Sequence, residues 1–180
     1  MRLAAVVLSG GSARRLDGRD KAAVRVGGVT LLERVLAAVR DAEEVVVVGP
    51  PAPAPDPVIF AREDPPGGGP VAGLVAGRAA LSGPADLLAV VAVDMPFLTA
   101  DTFARLTSAA EDADGAFLVS GGRRHLAGVL RPDRVDWPGA ADAQGMPMHR
   151  LLAPLRLAEV EASGDEARDV DTWADLRALE

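Results

Sequence analysis

Four short stretches of the chain carry residue types that can handle a charged substrate. In LSGGSARRLDGRDKA, residues 8–22, the pair Gly10 and Gly11 stands between an apolar run and a cluster of cations that includes Arg15 and Lys21. Glycines at a strand-to-helix turn let backbone N–H groups converge on an anion, and the cations would compensate its charge. In AVDMPFL, Asp94 directly follows a long apolar run. A carboxylate in that position can hold Mg²⁺, which bridges phosphate oxygens in a phosphoryl-type transfer. EDPPGGGPVAGL, residues 63–74, joins Asp64, able to accept hydrogen bonds from a sugar or base, to glycines that allow close backbone approach. DVDTWADL places Asp169 and Asp171 just before a closing helical segment. Each stretch also has a plain structural reading: a surface turn, a turn aspartate before Pro96, a glycine-rich lid, a helix cap at Asp171 or Thr172.

The elements that must position these residues are legible from periodicity. Apolar and β-branched runs at 3–8, 44–48, 58–60 and 87–93 read as strands, the last apolar on both faces as a central parallel strand must be. Between them, Leu31, Leu32, Val35, Leu36 and Val39 recur at helical spacing behind a capping box of Thr30 and Glu33. Residues 71–81 and 100–110 also read as helices, with Thr99 as N-cap of the second. The alternation is that of βαβ units, so the expected fold is α/β, a doubly wound, mainly parallel sheet with helices on both faces. Ligands of such sheets gather outside the carboxyl ends of the strands, which is where the glycine turn and Asp94 both fall. Further on, the expectation is strands at 117–120 and 126–130 joined through GGRR, a helix at 148–155, a strand at 157–161 and a closing helix at 172–179. The proline-rich stretch from Gly49 reads as a stiff surface connection, and residues 1–180 as a single domain.

Composition narrows the function. A chain of 180 residues with 49% hydrophobic content builds one sizeable core. A formal charge of −7 argues against general nucleic-acid or anionic-membrane binding. The absence of cysteine excludes disulfides, thiolate metal sites and a thiol nucleophile, and suits a reducing compartment. The N-terminal apolar run is too short for a signal-peptide core and no stretch has the length of a membrane span, so the expected location is cytoplasmic. His125 and His149 stand in dissimilar contexts, and no histidine metal site is expected. The glycine turn fits neither common nucleotide template. A P-loop needs Gly-Lys followed by Ser or Thr, whereas Lys21 lies between Asp20 and Ala22; a dinucleotide fingerprint needs Gly-x-Gly-x-x-Gly.

Taken in order, the four stretches resemble the molybdenum cofactor guanylyltransferases of the MobA-like nucleotidyltransferase group. LSGGSARRLDGRDKA is similar to that family's Leu-Ala-Gly-Gly-x-Ser-x-Arg-Met-Gly-x-Asp-Lys signature; EDPPGGGPVAGL, VDMPFL and DVDTWADL are similar to its Gly-Pro-Leu-Ala-Gly-Leu loop, its Asp-x-Pro metal motif and its closing Asp/Asn-rich segment. The resemblance implies Mg²⁺-dependent transfer of GMP from GTP to the phosphate of molybdopterin. It further implies that Leu8, Ser9 and Gly10 contact guanine and ribose through the backbone and that Gly11 admits the nucleotide. Arg15 and Lys21 would offset phosphate charge, Asp64 would help bind nucleotide, Asp94 would hold the metal, and Asp171 would add a second metal contact. A GTP-binding adaptor and apo-molybdoenzymes are the partners it suggests. The chain departs from the pattern at Ala13, Leu16 and the longer link through residues 17–19, and Val48-Gly49 stands where the family often has a polar nucleotide contact. Open alternatives are a cytidylyltransferase, a guanylyltransferase for another phosphorylated acceptor, and a catalytically silent nucleotide-binding domain. A dinucleotide-fold oxidoreductase lacks both of its fingerprint elements here.

Overall fold

The computed structural model of the protein describes residues 1–10 and 20–177. The strands are β1 (Leu3–Leu8), β2 (Arg25–Val26), β3 (Val29–Thr30), β4 (Glu44–Val48), β5 (Ile59–Ala61), β6 (Leu87–Ala92), β7 (Gly115–Ser120), β8 (Arg123–Leu130) and β9 (Leu157–Glu161). The helices are α1 (Leu31–Ala38), α2 (Gly69–Ala79), α3 (Ala100–Ala109), α4 (Ala140–Ala143), α5 (Met148–Leu152) and α6 (Trp173–Arg177). Because β1 is buried on both faces, it requires cover on both sides. Ala5 and Val7 meet α1 and α3 through Leu31, Leu32, Val35, Phe103 and Leu106. Ala4, Val6 and Leu8 meet α2 and α5 through Val71, Leu74, Leu151 and Leu152.

Seven strands form one sheet in the order β5-β4-β1-β6-β8-β7-β9. Neighbours from β5 through β6 run parallel, and β9 is parallel to β7. The expected fold class is therefore observed, with one reversal: β8 is antiparallel to both β6 and β7. It returns from β7 through a two-residue turn at Gly121 and Gly122, whose φ values of 56° and 75° both lie in the left-handed region that a tight hairpin matched to strand twist demands. Helix α2 lies unusually close to the sheet, since a Cβ on Gly77 would come within 2.6 Å of Val6 Cγ1.

The capping box of Thr30 and Glu33 and the Thr99 cap are both present. The strand expected at 58–60 is displaced by one residue to Ile59–Ala61, the helix expected at 148–155 stops at Leu152, and β8 begins at Arg123 instead of 126. The β2–β3 hairpin, the 3₁₀ turn Lys21–Ala23 and α4 are too short to leave a periodic signal. In the proline-rich connection Pro51, Pro53 and Pro55 are exposed while Ala52 and Ala54 rest on the core, as expected of a stiff surface segment. Among the described residues no helix is long and apolar enough to cross a membrane.

Candidate nucleotide and metal site

Asp94 is delivered to the carboxyl edge by β6. The N–H of Val93 donates to the Leu8 carbonyl at 3.0 Å, extending the pairing with β1, and Asp94 is the next residue. The N–H of Val170 donates to the Asp94 carbonyl at 2.8 Å, which brings Asp169 and Asp171 to the same place. Lys21 arrives from the opposite end of the sequence on its 3₁₀ turn, which the Asp20 carboxylate caps by accepting from the Ala22 N–H at 3.0 Å. Its ammonium donates to Asp171 Oδ1 at 2.6 Å and to Asp94 Oδ2 at 3.2 Å.

The electrostatics of this triad follow from burial and pairing. Burial pushes the Asp94 carboxyl above the usual aspartate range, overcoming the pull of Lys21, with Asp171 and Asp169 adding to the rise. For Lys21, burial works against the charged form, but hydrogen bonds and charge from Asp171 and Asp94 outweigh it and hold the ammonium above its ordinary value. The lysine thus stays charged at neutral pH. Among the described residues no three His, Cys, Asp or Glu side chains form a metal cluster. Asp94 and Asp171 are hard oxygen donors of the type that divalent cations take.

A cleft of about 710 Å³ opens beside the triad, and Leu8, Ser9, Gly10, Lys21 and Asp94 all line it. The structure therefore brings together most of the described site residues read from the sequence. Gly11 and Arg15 lie outside the described residues. The backbone N–H groups of Ser9 and Gly10 both donate to the Val48 carbonyl, at 2.9 and 3.0 Å. Gly49, with φ 153°, makes room for this arrangement, because a Cβ there would stand 3.1 Å from Ser9 Cβ. Ser9 Oγ is buried without a hydrogen-bond partner among the described residues.

Asp64 is not among the residues lining the cleft. It is exposed, and the cleft wall beyond β5 is formed by Arg62 and Glu63. These are the first residues past the carboxyl end of β5, and that position was their signal in the sequence. Glu63 is steadied by the Gly67 N–H, which donates to Oε1 at 2.9 Å. The start of α2 completes this wall through Gly69 and Pro70. His125, on β8, has a buried Nε2 without a partner among the described residues; burial, helped by Arg123, lowers its pKa against a smaller opposing effect of Asp169, so the ring is neutral at pH 7. A second hollow, about 530 Å³, lies at the opposite edge of the sheet, where Arg131 and Arg156 donate to backbone carbonyls.

Fold and cleft together set a charged triad at the carboxyl edge of a doubly wound α/β sheet, the region where such sheets take their ligands. The chain belongs to the MobA-like NTP transferase family, whose domain model matches residues 5–169. It is 34% identical to a molybdenum cofactor guanylyltransferase of Rhodobacter capsulatus over 100% of this chain and 96% of that relative. In fold it is similar to molybdopterin-guanine dinucleotide biosynthesis protein A of Archaeoglobus fulgidus, with a TM-score of 0.71 and 20% identity over 98% of this chain and 96% of the other. A Mycobacterium tuberculosis H37Rv protein solved in complex with manganese shares the fold at a TM-score of 0.74 and 15% identity, over 99% and 98% of the two chains. Family membership makes the chain a nucleotidyltransferase.

Proposed function

We propose that the chain transfers GMP from GTP to the phosphate of molybdopterin, forming molybdopterin guanine dinucleotide and pyrophosphate. The observation that carries this reading is the meeting of Lys21, Asp94 and Asp171 beside a nucleotide-sized cleft, in a chain whose curated relatives are guanylyltransferases. An oxygen of the acceptor phosphate attacks the α-phosphorus of GTP, and the bond to the β-phosphate bridging oxygen breaks as pyrophosphate leaves. No protein nucleophile is required, because the acceptor is already anionic; catalysis rests on positioning and on charge stabilisation.

The residues divide the work by chemistry. The carbonyls of Ser9 and Gly10 and the carboxylate of Glu63 are acceptors, which suits the N1–H and amino donors of guanine. Lys21, together with Arg15 and the loop containing Gly11, offsets phosphate charge, and the N-terminal end of α2 adds a favourable dipole. Asp94 and Asp171 would hold a divalent ion, Mg²⁺ on this reading, which would supply charge neutralisation to the phosphates and the leaving group. Asp64, exposed on the loop after β5, would help bind the nucleotide. The reading includes one domain across residues 1–180 acting in the cytoplasm, with GTP and molybdopterin as substrates and a GTP-binding adaptor and apo-molybdoenzymes as partners.

The test is pyrophosphate release in the presence of Mg²⁺ and molybdopterin with GTP, CTP or ATP as donor. The expected result is turnover with GTP and little with the others. Turnover with CTP in its place would assign the cytidylyl reaction, and tight GTP binding without transfer would assign a silent binding domain.

A further inference from the structure

Among the described residues four polar or charged side chains are buried: Ser9, Thr30, Thr102 and Glu166. Three of them are paired. Thr30 Oγ1 accepts from the Glu33 N–H at 3.0 Å, Thr102 Oγ1 donates to Glu166 at 2.6 Å, and Glu166 also accepts from Arg105 at 2.6 Å. Ser9 is the exception: it is 7% exposed, and its Oγ has no hydrogen-bond partner among the described residues. A buried hydroxyl left unpaired costs free energy, so its retention calls for a partner that comes from outside the chain.

A serine at a strand end commonly bonds nearby backbone, but the neighbouring N–H groups here are committed elsewhere. Those of Ser9 and Gly10 go to the Val48 carbonyl, and that of Gly49 goes to the Ala61 carbonyl at 2.9 Å. Ser9 nevertheless lines the cleft, and so does Gly49 beside it. Because Gly49 carries no Cβ, the space next to Ser9 Cβ stays open. Rotation about a single bond between staggered positions is then all that Oγ needs to meet a ligand.

The strand order says which part of a nucleotide lies over Ser9. Along β5-β4-β1-β6 the carboxyl ends lead into Glu63, Gly49, Ser9 and Asp94, all of which line the cleft. On the GTP reading above, on which this inference rests, the base lies at Glu63 and the phosphates at Lys21 and Asp94. The ribose joins the two and falls over the end of β1. We propose that the Ser9 hydroxyl hydrogen-bonds a ribose hydroxyl of the bound nucleotide. Each hydroxyl can donate and accept, and removing either one leaves the other without its partner.

The experiment measures binding of GTP, 2′-deoxy-GTP and 3′-deoxy-GTP by calorimetry, with Mg²⁺ and without acceptor, to wild type and Ser9→Ala. Wild type should bind one of the deoxy analogues about five- to tenfold more weakly than GTP, the size of one neutral hydrogen bond. Ser9→Ala should bind GTP more weakly by a similar factor and no longer distinguish that analogue from GTP. Without nucleotide, Ser9→Ala should resist urea at least as well as wild type, because it loses only an unpaired hydroxyl. Indifference of wild type to both analogues, or equal discrimination by the two proteins, overturns the proposal. So does a clear loss of nucleotide-free stability in Ser9→Ala, which would give the hydroxyl to the fold. If wild type takes CTP in place of GTP, the guanylyl reading fails, and the same comparison with CTP and its deoxy forms decides the role of Ser9.

Discussion

Lys21 and Asp94, 73 residues apart in sequence, meet with Nζ 3.2 Å from Oδ2. The same ammonium bonds Asp171 at 2.6 Å, so one lysine is shared between two carboxylates. On the functional reading proposed above, the lysine and a divalent ion would compete for the same oxygens until a nucleotide offered Lys21 its phosphates.

Replacing Lys21 separates these two roles. Lys21→Met is expected to lower turnover at least about a hundredfold, the size typical of losing one key electrostatic element. In the absence of nucleotide it should bind Mn²⁺ more tightly than wild type, because the competing ammonium is gone. Titration of free Mn²⁺ by electron paramagnetic resonance reads this directly, and equal or weaker Mn²⁺ binding by the variant would refute the competition.

Gly49 tests how the glycine turn is held. A methyl group there would stand 3.1 Å from Ser9 Cβ and 3.2 Å from the Gly10 nitrogen, on a backbone with φ 153°. Gly49→Ala must displace the Ser9–Gly10 backbone, whose two N–H groups share the Val48 carbonyl. GTP affinity measured by calorimetry should fall at least about tenfold, with a stability loss of about 1–3 kcal/mol. An unchanged affinity would show that the turn does not seat the nucleotide.

A buried anchor keeps the Asp171 segment in place. Glu166 accepts from Arg105 at 2.6 Å, from Thr102 Oγ1 at 2.6 Å and from the Ser163 N–H at 2.7 Å, tying the chain after β9 to α3. Burial raises the Glu166 carboxyl, but these hydrogen bonds and the Arg105 charge outweigh it and leave the pKa below the ordinary 4.5. A depressed carboxylate stabilises the folded state fully above its unfolded pKa and loses that contribution as pH falls through the folded value. Glu166→Ala should thus cost about 3 kcal/mol at neutral pH, and the gap to wild type should close progressively below about pH 4.5. Urea unfolding of both proteins from pH 7 to pH 3 measures the gap, and a constant difference across that range would exclude the titration of Glu166 as its source.

What the sequence made legible is what periodicity and local chemistry encode. Runs buried on both faces, such as residues 87–92, read as a central strand, and the capping box at Thr30 and the N-cap at Thr99 mark helix starts by side-chain hydrogen bonds within four residues. Asp94 and Lys21 were recognisable because each follows or precedes such an element. The reversal of β8 was not, because Arg123 and Arg124 look like loop residues until pairing with Ser120 and Val119 draws them into a strand. Asp64 and Glu63 are adjacent acids, and only the exit direction of the chain from β5 decides which one reaches the cleft. The occupation of the Ser9 and Gly10 N–H groups depends on Val48, a partner about forty residues distant, and no local pattern reports it.

The most direct test of the account is the rate of Mg²⁺-dependent pyrophosphate release from GTP and molybdopterin by wild type and by folded Asp94→Ala. The expected result is robust release by wild type and a loss of at least about a hundredfold in the variant. Near-normal release by Asp94→Ala would contradict it, because the charge-handling centre formed by Asp94, Lys21 and Asp171 would then not be where the reaction occurs.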